Sequence, residues 1–197
     1  MGHLKGLSEY LNERYNHSVF DEALESKEPW ALHLHHHLII TTRIVKNQKY
    51  DLEIEDSGDL GGILPKINVK LLYPASSRDI VMPLIKMDEG IKELNLEPIV
   101  SPGERYHIKN KSLFPLMREK KVLFFTLLEG EIIRGIVAEF SRYDITVRLK
   151  DGSRVTIMRH AVYDLRDKRK RSFLKTFQEQ HQDWKQSSLY VPLPTQN

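Results

Sequence analysis

An internal repeat is the feature that most restricts the fold of this chain. When Tyr143 is placed over Tyr50, an offset of 93 residues, apolar residues fall on apolar residues without a gap from residue 34 to residue 72. The matched pairs are Leu34 with Leu127, Ile40 with Ile133, Ile44 with Val137, Leu52 with Ile145, Ile54 with Val147, Val69 with Val162 and Leu72 with Leu165. Identity is low, so chance agreement between two β-rich segments is the alternative. A repeat of this length favours two copies of one domain over a solenoid.

Each copy has the alternating pattern of short strands. Tyr143, Ile145, Val147 and Leu149 alternate with other residues, and KDGS at 150–153 predicts a tight hairpin. SGDLGG at 57–62 predicts a turn in the first copy. A short helix is expected at Leu113 to Lys121, and residues 7–28 predict one or two helices broken near residues 16–18. One short helix followed by five short strands predicts a small, strongly bent barrel.

The chain is thereby divided into five parts. They are an N-terminal extension (1–19), the first copy (20–73), a proline-containing connector (74–112), the second copy (113–166), and a basic helix with a tail (167–197). The predicted fold class is mainly β with short helices. It consists of two tandem five-stranded, SH3-like small barrels, each preceded by a short helix.

Charge is distributed unevenly along the chain. Residues 1–98 contain 11 Lys/Arg against 16 Asp/Glu, a net of −5, whereas residues 99–197 contain 19 against 11, a net of +8. A polyanion is therefore expected to bind the second half. The excess lies at 109–121 and 166–175, and the second cluster includes the run KRKR at 168–171. Such a run is as often only the solvated face of a helix.

Composition excludes several classes of protein. The chain has 197 residues and no cysteine, which rules out a disulfide scaffold, a thiol nucleophile and a cysteine-ligated metal site. No stretch reaches the roughly 18 apolar residues of a membrane span, and the N-terminus lacks a signal-peptide pattern. We therefore expect a cytoplasmic protein that is not bound to a membrane.

The second copy carries a specific motif. Gly130 and Gly135 are five residues apart, Phe140 follows five later, and Tyr143 three after that. This spacing resembles the first Sm motif of the bacterial RNA chaperone Hfq, and 158–162 (MRHAV) resembles the family's second motif. The helix ending in Arg118, Lys120 and Lys121 resembles the family's N-terminal helix and basic patch. The resemblance covers 113–166 well, whereas the first copy matches only through the repeat.

The resemblance implies two tandem Sm-like barrels and a set of RNA-binding residues. In the family, the aromatic residue of the first motif and the basic and histidine positions of the second line a pocket for uridine-rich RNA ends. The residues carried over are Arg142, Tyr143, Arg159 and His160 in the second copy and Lys49, Tyr50 and Lys66 in the first. The basic residues added for phosphate are Arg118, Lys120, Lys121, Lys168, Arg169, Lys170 and Arg171. Alternatively, either tyrosine is a half-buried strand residue and His160 is a packed histidine.

The sequence departs from the family at several of these positions. Ile67 stands where the histidine is expected in the first copy, and His37 and Thr42 replace the two glycines. Thr126 and His33 occupy the positions of a tyrosine beside which the family binds adenine-rich RNA. The expectation of adenine-rich binding is correspondingly weak.

A histidine run offers a different chemistry. His33, His35 and His37 would share one face of a strand and could ligate zinc or nickel, but no carboxylate lies within the run. An exposed strand face is the simpler interpretation, so we predict no metal and no cofactor. No phosphate loop, nucleophile elbow or dinucleotide fingerprint is present in the sequence. We therefore predict that the chain is not an enzyme.

The sequence thus predicts a non-catalytic protein that resembles Hfq and binds single-stranded, uridine-rich RNA. Because Sm folds pair edge strands between neighbours, three chains with two units each would form a pseudo-hexameric ring. The alternative is a structural or interaction protein that uses its barrels for oligomerisation. A metal-dependent enzyme is the third interpretation.

Overall fold

The computed structural model describes residues 2–55 and 62–193 and shows a mainly β protein with short helices and antiparallel sheets. Most of the expected turn at 57–62 and the last four residues of the tail lie outside the described residues. Within the described part, no helix is long and apolar enough to cross a membrane.

The helices and strands of the N-terminal extension, the first copy and the connector lie within residues 3–92. They are β1 (His3–Leu4), α1 (Leu7–Arg14), α2 (Val19–Ser26), β2 (Trp30–Leu34), β3 (Ile39–Thr42), β4 (Ile44–Asn47), β5 (Asp51–Ile54), β6 (Ile63–Pro65), β7 (Val69–Pro74), α3 (Arg78–Val81), β8 (Lys86–Met87) and α4 (Glu89–Lys92). The predicted break between two N-terminal helices is confirmed, since Ser18 caps α2 by accepting a hydrogen bond from the Phe20 N–H.

The remaining elements form the second copy and the tail. They are α5 (Asn110–Arg118), β9 (Val122–Leu127), β10 (Glu131–Phe140), β11 (Asp144–Arg148), β12 (Arg154–Met158), β13 (Val162–Asp167), α6 (Lys175–His181) and β14 (Tyr190–Val191). The basic helix expected within residues 167–197 is wrong in its first part. Residues 168–172 are not helical, so the KRKR run does not lie on a helix face.

The repeat has the same offset in the structure as in the sequence. A 3₁₀ turn at Lys66–Asn68 followed by β7 is matched, 93 residues later, by a 3₁₀ turn at Arg159–Ala161 followed by β13. The strands β2 and β5 have counterparts in β9 and β11. The elements of the two copies therefore correspond at the same offset as the apolar residues.

The two copies share one antiparallel sheet. Its strand order is β13-β9-β10-β11-β12-β7-β2-β3, with β8 added to β10. The junction is the pairing of β12 from the second copy with β7 from the first, in the register Thr156 with Leu72 and Ile157 with Leu71. The expectation of two five-stranded barrels is therefore not confirmed. In the described residues no closed barrel forms, because β12 pairs with β7 of the first copy and not with β13.

Glycine explains a difference between the copies. In the second copy β10 is one continuous strand, and Gly135 lies so close to Val147 and Arg148 on β11 that a Cβ atom would collide with them. Thr42 stands at this position in the first copy, where the strand is interrupted after residue 42. The strands β4, β5 and β6 consequently form a separate three-stranded sheet.

The hydrophobic core has two clusters, and each takes residues from both copies. The first cluster joins Phe20 and Ala23 of α2 and Leu72 of β7 to Met158 and Ala161 of the second copy. The second includes Phe114, Phe125 and Phe140, and the two ends of the chain pack on it. The Tyr10 ring of α1 contacts Phe140, and β1 pairs with β14. The N-terminal extension and the tail therefore belong to the second copy in space.

The tail also occupies the outer edge of β13. The Phe173 N–H donates to the Leu165 carbonyl at 2.8 Å, and the Asp167 N–H donates to the Arg171 carbonyl at 3.1 Å. By the repeat offset, Leu165 corresponds to Leu72, which pairs with β12 at the junction. The edge position that receives a neighbouring strand in the first copy is thus filled in the second copy by the chain's own tail.

Candidate nucleic-acid interface

Two equivalent turns present the predicted aromatic residues. The Gln48 N–H donates to the Asp51 carbonyl at 3.0 Å, and the Ser141 N–H donates to the Asp144 carbonyl at 3.0 Å. Each bond closes a four-residue turn whose two central residues are a cation and a tyrosine. Lys49 and Tyr50 are therefore at the tip of one turn, and Arg142 and Tyr143 at the tip of the other.

Both tyrosines have a fixed backbone and an accessible ring. The Tyr50 carbonyl accepts the Lys66 N–H at 2.9 Å, and the Tyr143 carbonyl accepts the Arg159 N–H at 2.9 Å. As whole residues, Tyr50 is 69% and Tyr143 50% exposed. The Lys49 ammonium lies 5.0 Å from the centre of the Tyr50 ring, and the Arg142 guanidinium lies 5.6 Å from that of Tyr143. These tyrosines are exposed turn residues and not half-buried strand residues.

A cleft of about 680 Å³ between the copies is lined by all seven residues carried over from the Hfq resemblance. We call it the inter-copy cleft. It is lined by Lys49, Tyr50, Lys66, Arg142, Tyr143, Arg159 and His160, together with residues of α2 and of the connector. The β12–β7 junction brings the two sets into this one cleft, although they are far apart in sequence.

Arg159 and His160 are held by bonds within the protein. The Arg159 guanidinium donates to the Ile108 carbonyl at 3.1 Å and to Asn110 Oδ1 at 2.9 Å. The His160 Nε2–H donates to the Val69 carbonyl at 2.9 Å, which ties the second copy to β7. Burial lowers the pKa of Arg159 to about 10, and burial together with the Arg105 cation lowers the pKa of His160 to about 4. His160 is consequently neutral near neutral pH and brings no charge to a phosphate.

Among the cations that line the inter-copy cleft, Lys49 and Arg142 are exposed, whereas Lys66 is half-buried. The Lys66 ammonium donates to the Gln48 carbonyl and lies 5.6 Å from the centre of the Phe20 ring. Burial lowers its pKa, while the Asp21 and Asp51 carboxylates act in the opposite direction. These two acids line the inter-copy cleft and weaken its attraction for phosphate on the first-copy side.

Sequence reasoning missed the connector's contribution. Arg105 lines the inter-copy cleft and is held by donating to the Ile99 carbonyl at 2.9 Å and the Val100 carbonyl at 3.0 Å. The connector lies outside the repeat, so no register assigned Arg105 to the cleft. Its charge and the neighbouring prolines were the only signals.

A second cleft unites the two basic clusters. It has a volume of about 610 Å³ and is lined by Lys120, Lys121, Lys168, Arg169 and Arg171. We call it the basic cleft. Acidic residues reduce its charge, since Arg171 pairs with Asp183 at 2.9 Å and Lys121 with Glu119 at 2.8 Å. Of the other predicted cations, Arg118 packs over the Phe114 ring at 5.3 Å, and Lys170 is exposed beside the cleft.

The histidine run differs from the expected exposed strand face. The strand β2 ends at Leu34, and His33 and His35 are buried. His33 Nε2 lies 2.9 Å from the Tyr73 hydroxyl, whereas both ring nitrogens of His35 have no hydrogen-bond partner among the described residues. Burial lowers the pKa of each of these two imidazoles to about 4. His36 and His37 follow in a turn with left-handed backbone.

The low pKa of His160 predicts a loss of stability in acid. The unfolded chain binds a proton at this histidine near pH 6.5, whereas the folded chain does so only near pH 4. The contribution of His160 to the free energy of unfolding is therefore complete above pH 6.5 and is lost as the pH falls towards 4. His160→Gln, which retains a donor for Val69, should flatten this dependence in urea denaturation. The exposed His181→Gln is the control, and equal pH dependence in both variants would contradict the assignment.

Comparison of the chain with family models, with curated proteins and with solved structures finds no match. The function is therefore argued from the two clefts and their residues.

Proposed function

We propose that this chain is a non-catalytic RNA-binding protein that takes single-stranded, uridine-rich RNA into the inter-copy cleft. The observation that carries the proposal is the pair of exposed tyrosines, Tyr50 and Tyr143, each beside a cation, at equivalent turns that line one cleft. The preference for uridine rests on the resemblance of the second copy to Hfq.

Physical chemistry supports this arrangement as a single-strand site. A base stacked on an exposed aromatic ring gains roughly 1–3 kcal/mol, and an adjacent cation neutralises the phosphate that follows it. Tyr50 with Lys49 and Tyr143 with Arg142 offer this combination twice. Because each tyrosine carbonyl accepts a hydrogen bond from the following 3₁₀ turn, the backbone that carries each ring is already ordered before RNA binds, which reduces the ordering entropy that opposes binding.

The basic cleft serves as a second, non-specific contact in this proposal. Its five cations are exposed, and charge of this kind attracts phosphate without reading bases. It lies on the second copy with the tail. RNA held at the inter-copy cleft would gain affinity, but no base preference, from it.

We further propose that each copy is an Sm-like unit. In the second copy a helix is followed by five strands, and in the first by six, of which β3 and β4 together correspond to β10; this order supports the proposal. The β12–β7 pairing supports it too, because Sm folds complete their sheets by pairing edge strands between neighbours. A ring of three chains would repeat this contact between β6 of one chain and β13 of the next. Since Phe173 and Arg171 are bonded to that edge of β13, the tail must leave before the ring can close.

The alternative function is a structural or interaction protein. One observation favours it, namely that the tail covers one edge of β13, so that release of the tail would expose backbone groups for pairing with another chain. RNA titration at two salt concentrations separates this function from the first, since an interaction protein need not bind RNA at either.

The tyrosines give the first test. Tyr143→Ala should weaken binding of oligo-uridine by roughly 1–3 kcal/mol per base stacked on the ring, and should affect oligo-adenine less. Tyr50→Ala should lose less, because Asp51, Glu53 and Glu55 follow Tyr50 in the sequence, and Asp21 and Asp51 line the cleft on its side. Fluorescence anisotropy measures both variants after circular dichroism has established that they fold. Tyr106→Ala, an exposed tyrosine outside the cleft, is the control, and parental affinity of Tyr143→Ala would refute the proposed site.

The second test concerns the basic cleft. Neutralising Lys168, Arg169, Lys170 and Arg171 should reduce the slope of log K against log salt by about 0.7 for each lost phosphate contact, with base preference retained. A matched variant neutralises four exposed cations outside both clefts, namely Lys5, Lys27, Arg148 and Lys150. If both variants have the parental slope, residues 168–171 are a solvated surface that does not contact phosphate.

The third test concerns the tail. Phe173→Pro removes the N–H that bonds to Leu165, so this variant should form more three-chain particles than the parent at equal micromolar concentration. Light scattering measures the mass. Phe177→Ala changes a tail residue that stacks on His181 and serves as the control. A folded Phe173→Pro chain that stays as small as the parent would exclude this route to a ring.

A further inference from the structure

A cluster of ionisable side chains lies where the loops of the two copies meet, away from both clefts. The loop after β2 contains His35, His36 and His37, and the loop before β10 contains Glu129. The Glu129 carboxylate accepts the backbone N–H of His36 at 2.6 Å and that of His37 at 3.3 Å. This geometry places the histidine run against a carboxylate that is distant in sequence.

Lys70 and Glu131 complete the cluster. The fully buried Lys70 ammonium forms ion pairs with both Glu129 and Glu131. Two carboxylates and one ammonium leave one negative charge in a buried region. Burial of an uncompensated charge is unfavourable, so the cluster favours binding of a further cation.

The cluster also contains polar atoms without partners. The His35 side chain is only 2% exposed, its Nδ1 lies 3.9 Å from Glu129 Oε1, and neither ring nitrogen has a hydrogen-bond partner among the described residues. The buried Oε2 of Glu131 has none either. A buried imidazole and a buried carboxylate oxygen that accept no hydrogen bond are ligands available to a metal ion.

We propose that His37, Glu129 and Glu131 bind a divalent transition metal ion of the zinc or nickel class. One ligand atom from each of the three lies within 4.8 Å of the other two. Ligand atoms around a tetrahedral zinc ion are about 3.4 Å apart, so a shift of roughly an ångström closes the site. One imidazole and two carboxylates are ligand types that these metals accept, and three protein ligands leave a position open for water.

An entry path and a competitor are both present. The His37 side chain is 44% exposed, and a cavity of about 200 Å³ is lined by His37 and Glu131. Lys70 competes with the metal for the same carboxylates, because its ammonium contacts one oxygen of each. The ammonium balances one of the two acids, and a metal ion must compete with it for these oxygens, which limits the affinity.

The test is isothermal titration of the full chain with zinc and, separately, nickel chloride. The expected result is one ion per chain with micromolar affinity. His37→Gly should lower the affinity at least tenfold, whereas His36→Gly should leave it unchanged. Glycine suits the left-handed backbone of both residues, so the two variants form a matched pair.

Glu131→Gln provides an independent check on the carboxylate ligand. It preserves the shape of the side chain and should also lower the affinity at least tenfold. Absence of stoichiometric binding to the parent chain would overturn the proposal. So would equal affinities of His37→Gly and His36→Gly, which would indicate adventitious binding by surface histidines.

Discussion

The pairing of β12 with β7 is the contact on which the rest of the molecule depends. A strand edge has unsatisfied N–H and C=O groups, and here each copy satisfies an edge of the other. Two buried features adjoin this contact. The Lys70 ammonium pairs with Glu129 and Glu131 across the copies, and His160 donates to the Val69 carbonyl. Loss of one member of such a buried ion pair typically destabilises a protein by about 3–5 kcal/mol, so the junction is strongly specified.

The junction explains why a chain of two repeats can build one site. Each turn with its tyrosine is a local structure, closed by one backbone hydrogen bond and tied to the next 3₁₀ turn by another. Neither turn forms a cleft by itself. Since the junction fixes the copies side by side, Tyr50 and Tyr143 line the same cleft. An RNA strand could stack on both without any second chain, so the proposed binding is independent of ring formation.

The two copies have diverged in ways that follow from single residues. Gly135 permits a close approach of β10 to β11, whereas Thr42 does not, and the first copy is divided into two sheets. Gly130 has a positive φ, and a Cβ atom there would lie 2.5 Å from the Asp88 carbonyl oxygen. Its counterpart His37 adopts the same left-handed backbone at an energetic cost. That conformation directs the His37 N–H at Glu129, which connects the divergence to the proposed metal site.

The sequence by itself determined the repeat, its register and most of the strands, because alternation of apolar residues has a period of two and its register cannot slip without turning the core outwards. It also singled out Tyr50 and Tyr143 and the cations beside them, but it placed both tyrosines at the start of alternating strands, whereas the structure places them at the tips of turns. Only the tertiary structure decided that both turns share one cleft and that Arg159 and His160 are held in internal bonds. It also decided that the tail covers β13 and that Glu129 and Glu131 lie beside the histidines. These outcomes depend on contacts between residues as far as 93 positions apart in sequence. The local pattern of apolar residues does not predict such contacts, because they depend on which strand edges pair in the folded chain.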